Sequence, residues 1–166
     1  MNKYRISKYN PKYRNEKGTF LKNEWTSYWD IGKTYSGKIF YEEEYLNIEK
    51  LYCNCIISIA KNIGINEMFI TDLEKYPLDK KVRVLLKNLN GEEIFNKVKN
   101  NLIIETDNIY IFLQLLLREI FWCKLKTTSN FKIIVGYDFY VYVYCDYIPL
   151  NIIEHYKKFN LFIEKL

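Results

Sequence analysis

Four carboxylates stand where they could do chemistry: Glu24, Asp30, Asp72 and Asp138. Two placed acids suffice to hydrolyse a glycosidic bond, one giving a proton while the other attacks or activates water. Asp30 and Asp138 make the leading pair, each close to a glycine in a turn-like stretch, "WDIGK" and "VGYDF". The same positions suit structural turns in which aspartate hydrogen-bonds the local backbone. Spacing alone leaves open whether the two converge.

Other chemistries find little to build on. Histidine supplies most nucleophilic triads and many metal sites, and this chain has one, His155, between Glu154 and Tyr156 beside a lysine pair. That setting reads as a solvated surface histidine. Cys53, Cys55, Cys123 and Cys145 lack CxxC spacing, sit among apolar neighbours and read as reduced, buried thiols. There is no HExxH, GxSxG, glycine-rich phosphate loop or zinc spacing, so neither metal nor cofactor is expected. Glu42, Glu43 and Glu44 look like a carboxylate cluster, but they fall in the first turn of a helix, where the macrodipole favours negative charge.

Aromatic residues offer a different kind of function. "GTFLKNEWTSYWDIGK", residues 18–33, holds Trp25 and Trp29, and an i, i+4 spacing in a short helix would put both rings on one side. One ring can anchor the loop to the core while the other meets a partner. Trp25, Trp29, Asp30, Tyr137 and Asp138 are the candidate partner-contact residues. The 16 tyrosines fit either binding surfaces or the composition bias of an AT-rich genome, which enriches Tyr, Lys, Asn, Ile and Phe together. With a net charge of +5, nucleic-acid binding is a further reading. Lys3, Arg5, Lys8, Lys12, Arg14 and Lys17 interleave with Tyr4, Tyr9 and Tyr13, an arrangement in which cations meet phosphates and rings stack on bases.

The elements that must position these residues read as one α+β domain spanning 1–166. Residues 3–9 alternate as a weak strand ending at Asn10-Pro11, and 11–38 is a long loop that either binds or hides short strands. Tyr45, Ile48, Tyr52, Cys55 and Ile59 recur at helical steps, predicting a helix over about 42–63 capped by Gly64. A strand follows through Met68, Ile70 and Leu73. Residues 79–100 are ambiguous at first, with a turn at Asn90-Gly91 and a short helix in "EEIFNKVKNN". A second main helix, apolar nearly all round, is predicted over about 107–121 with Thr106 or Asp107 as cap, Gln114 and Arg118 forming its one polar stripe. Antiparallel hairpin strands follow over about 120–145, then a short helix with His155 and an edge strand in "LFIEKL". Helices and strands come in segregated runs rather than a βαβ rhythm, which defines the class.

The start "MNKYRISKYNPKYR" has no apolar signal core, and the run "IYIFLQLLL" is too short to span a bilayer. A cytoplasmic protein without membrane association is expected.

The order "YRISKYNPKYR…G…EWTSYWDIGK", then "EEYLNIE", "LREIFWCKL", "GYDFYVYV" and a closing "LFIEKL" resembles a family of small bacterial proteins. That family is similar to the immunity proteins of polymorphic toxin and contact-dependent inhibition systems. The resemblance covers most of the chain. It implies a small, cytosolic, single-domain, non-enzymatic protein that protects a cell by capping a cognate protein toxin. The basic charge departs from the acidic character of nuclease inhibitors and leaves open another toxin class or a different function. The resemblance also implies a further tail after "LFIE", where this chain stops at Leu166.

Overall fold

The computed structural model describes residues 1–166 and bears out the α+β class. The chain opens with β1 (Asn2–Ser7), passes through single 3-10 turns at Pro11–Tyr13 and Tyr28–Asp30, and forms a small hairpin of β2 (Thr34–Tyr35) and β3 (Lys38–Ile39). The expected long loop therefore does hide short elements. Helix α1 (Glu42–Asn62) carries Glu42, Glu43 and Glu44 in its first turn and ends before Gly64, whose φ of +76° allows the left-handed exit. Then come β4 (Glu67–Lys75), α2 (Lys80–Asn88), α3 (Glu92–Lys97), β5 (Ile103–Glu105), α4 (Tyr110–Leu117), β6 (Phe121–Lys126), β7 (Lys132–Val135), β8 (Val141–Cys145), α5 (Leu150–Lys157) and β9 (Phe162–Lys165).

Seven strands form one antiparallel sheet in the order β5-β4-β6-β7-β8-β1-β9. The N-terminal strand is not peripheral to it. β1 pairs with β8 on one side and β9 on the other, so the two ends of the chain close the same edge. Alternation decides the two faces. β6 buries Phe121, Cys123 and Leu125 while Trp122, Lys124 and Lys126 stay half-buried on the other side, and β8 repeats this with Val141, Val143 and Cys145 against Tyr142 and Tyr144. Helices α1, α4 and α5 cover the apolar face around a cluster of 39 buried residues.

Two expectations need correction. The second main helix is shorter than 107–121. Thr106–Asn108 forms a 3-10 turn, α4 stops at Leu117, and Glu119 adopts a φ of +59° while Ile120 N–H donates to the Leu115 carbonyl. The apolar run continues past the helix because Phe121, Cys123 and Leu125 are the inward residues of β6, so apolar character alone does not mark the helix end. Nor does Thr106 or Asp107 cap α4: the Thr106 hydroxyl donates to the Ile65 carbonyl instead, at 2.7 Å. The ambiguous region resolves into two helices, with Asp79 capping α2 through the Val82 N–H at 2.8 Å.

Candidate functional site

The candidate residues fall on two surfaces, and the loop of 18–33 is the first. Trp25 and Trp29 share no helix, because only Tyr28–Asp30 turns and Trp25 precedes it. Their rings consequently part company. Trp25 is 4% exposed, stacked on Phe40 at 4.4 Å and met edge-on by Phe139 at 5.1 Å. Its indole N–H donates to Glu44 of α1 at 3.2 Å, so one glutamate of the apparent acid cluster holds the loop. Trp29 is 38% exposed and donates its indole N–H to the Arg118 carbonyl at 3.1 Å.

Asp30 is 7% exposed and belongs to a capping box. Its Oδ2 accepts from the Thr26 and Ser27 N–H groups at 2.8 and 3.2 Å, and Lys33 reaches Oδ1 at 2.7 Å. Burial pushes its carboxyl up, but the bonds from Lys33, Thr26 and Tyr35 outweigh that and hold it below its ordinary value. Both oxygens are thus committed to the loop itself. These bonds give Asp30 a local structural role in turning the loop.

Lys8 lies under the same loop, its ammonium 3.1 Å from Glu24 and 4.1 Å from the Trp25 ring centroid. Burial depresses its pKa to about 8 against the pull of Glu24. Glu24, another candidate acid, is therefore an ion-pair partner. Asp72 pairs with Lys124 at 3.1 Å, and its φ of +55° marks the irregularity in the β4–β6 pairing.

The β7–β8 turn carries the remaining candidates. Asp138 and Phe139 have φ values of +57° and +60°, and this left-handed backbone accounts for the aspartate. Phe139 turns inward onto Trp25, Tyr45 and Tyr52, while Tyr137 is 93% exposed and Asp138 is exposed beside it. Tyr52 fixes the arrangement by donating to the Phe139 carbonyl at 3.0 Å and accepting from Lys8 N–H at 2.8 Å. The fold thus brings the 18–33 loop and the 136–140 turn together through Trp25 and Phe139. It leaves Trp29, Tyr137 and Asp138 outside.

The second surface is the face of the sheet opposite the helices, which sequence reasoning placed only in part. Opposite partners in an antiparallel pair share a face, so the register aligns Lys126, Lys132, Tyr144 and Lys3 in one row. Lys124, Ile134, Tyr142 and Arg5 make the next. A third row is covered, because Arg14 of the N-terminal loop donates to the Tyr140 hydroxyl at 2.9 Å and Tyr9 packs edge-on against Tyr140. The N-terminal stacking arrangement is corrected here: Tyr4 and Tyr9 are buried and cannot receive bases, while Lys3 and Arg5 do reach the open face. The alternating "KLK" and "YVYVY" segments carried the signal for this surface, but only the register shows that they lie side by side.

His155 is exposed, packed against Tyr156 and Phe159. All four cysteines are free and buried, and burial pushes the Cys123 thiol up to about 12 and Cys145 to about 11. No helix is long and apolar enough to cross a membrane. Comparison with protein-family models, curated proteins and solved structures found no match to this chain.

Proposed function

We propose that this chain is a non-enzymatic binding protein that neutralises a cognate protein toxin by direct contact, in the manner of an immunity protein. The observation that carries the reading is the open sheet face. It presents tyrosines, which are enriched at interface hot spots, beside cations that give the face one sign of charge, from four paired strands on a rigid antiparallel scaffold. Backbone pairing on both sides of β6, β7, β8 and β1 limits the ordering cost of binding there. Exposed Trp29 and Tyr137 add anchors at the 18–33 loop and the 136–140 turn.

The resemblance to immunity proteins supports the protein partner. The commitment of Asp30 to bonds within its own loop weighs against the Asp30–Asp138 pair that a carboxylate-dependent hydrolase would draw on first. Nucleic-acid binding is a second reading, favoured by Lys3 and Arg5 beside Tyr144 and Tyr142 on the same face.

The test is protection. The chain is co-expressed with the products of the genes flanking its own, and growth is followed together with co-purification. Relief of toxicity by a neighbouring product that co-purifies with this chain supports the reading. A chain that purifies alone and relieves no neighbour's toxicity overturns it.

A further inference from the structure

We infer that the open face of the sheet docks an acidic protein surface, one that presents carboxylates across the rows of β6, β7, β8 and β1; this rests on the protein-binding reading above. The face carries an unfavourable contact. Lys126 and Lys132 are directly opposed across β6 and β7, where like charges destabilise a strand pair. No carboxylate of the chain forms an ion pair with either of them. Among its nine ion pairs, Asp72 goes to Lys124 and Glu164 to Arg5 and Arg14, and none involves Lys126, Lys132 or Lys3. The opposed charges are a cost to the isolated fold, whereas an acidic partner turns the repulsion into attraction.

The spacing and the rings narrow the occupant. Lys126 and Lys3 stand three strand spacings apart, about 14 Å, with Lys132 between them. Lys3 Nζ lies 4.3 Å from the Tyr142 ring centroid, and Lys132 Nζ lies 4.0 Å from that of Tyr144. These cations are held over the rings, so little freedom remains to be lost on binding. The same contacts cover the ring planes that a base would stack on, and this favours carboxylates over single-stranded nucleic acid.

The experiment titrates ¹⁵N-labelled protein with a 20-residue glutamate-rich peptide and, separately, with a 20-nucleotide oligothymidylate, at 50 and 200 mM salt. The expected result is amide shifts confined to β1, β6, β7 and β8, tighter binding of the peptide than of the oligonucleotide, and at least a tenfold weakening at the higher salt. The triple variant K3E/K126E/K132E, checked for an unchanged amide spectrum outside these strands, loses peptide binding. A K126Q/K132Q variant, which removes charge without reversing it, weakens binding if the triple variant is misfolded. Shifts elsewhere, no binding, or preferential binding of the oligonucleotide overturn the inference. Its failure is distinct from failure of the toxin reading. A toxin neutralised equally well by wild type and K3E/K126E/K132E sinks the docking face and leaves neutralisation standing.

Discussion

Glu49 and Arg118 meet in a bidentate ion pair inside the protein, Arg118 Nε donating to Oε1 and Nη2 to Oε2, each at 2.6 Å, with side chains 1% and 4% exposed. Gln114 adds a third donor to Oε2 at 2.9 Å, and the Tyr28 ring lies 4.9 Å from the guanidinium. The pair ties α1 to the residue that follows α4. The Arg118 carbonyl is also where Trp29 is held, so the loop, both helices and the start of β6 are fixed at one point.

Breaking that pair strands a buried charge. Glu49→Leu is expected to cost about 3–5 kcal/mol in urea unfolding, and Glu49→Leu with Arg118→Met to recover a large part of it. Additive losses in the double variant would show that the two groups are not coupled.

Asp30→Ala leaves the Thr26 and Ser27 N–H groups without their acceptor, an expected loss of about 1–3 kcal/mol. The Asp30 carboxyl is held below its ordinary value in the folded state. Its stabilisation is therefore complete above the unfolded value of about 3.9 and is lost as pH falls through the lower folded value. Unfolding curves of wild type and variant should converge under acid; a gap that stays constant to the lowest pH would contradict the assignment.

Lys8 gives the same sign of slope at high pH, although here burial disfavours the charged form. Its folded pKa of about 8 lies below the unfolded value near about 10.4, so between them the unfolded chain binds more protons and stability rises with pH. The wild-type stability relative to Lys8→Met should climb across that window, by no more than about 3 kcal/mol, and stay flat below pH 7. A difference that is level from pH 7 to 10.5 would place the ammonium in solvent.

Gly136→Ala tests how the open face is shaped. A methyl there would stand 2.7 Å from Tyr142 Cε2, so the ring must swing away. A loss of about 1 kcal/mol is expected, with altered amide shifts along β8. An unchanged β8 spectrum would mean that Tyr142 does not pack on Gly136.

The α+β class and the major elements were legible wherever periodicity was strong. The steps Tyr45, Tyr52, Cys55 and Ile59 specify α1, and the alternation of Val141, Val143 and Cys145 with Tyr142 and Tyr144 specifies β8. The end of α4 was hidden because Arg118 falls on the polar stripe with Gln114, so Arg118-Glu119 reads as a helix face rather than a stop, and Glu119 takes a left-handed conformation without glycine's help. The site was less legible. Glu49 sits in an ordinary "NIEKLY" stretch, and its burial depends on Gln114 and Arg118, more than sixty residues away. The opposition of Lys126 and Lys132 likewise needs the hairpin register, and Tyr4 and Tyr9 look as available as Tyr13 until the sheet buries them.

The most direct test of a neutralising binder is stoichiometric titration of a toxin whose killing this chain prevents. Toxin activity should fall linearly with added protein and vanish at one molecule of chain per toxin, with both recovered intact in one complex. Complete neutralisation at a small fraction of that ratio would mean that the chain turns over, and would contradict the account.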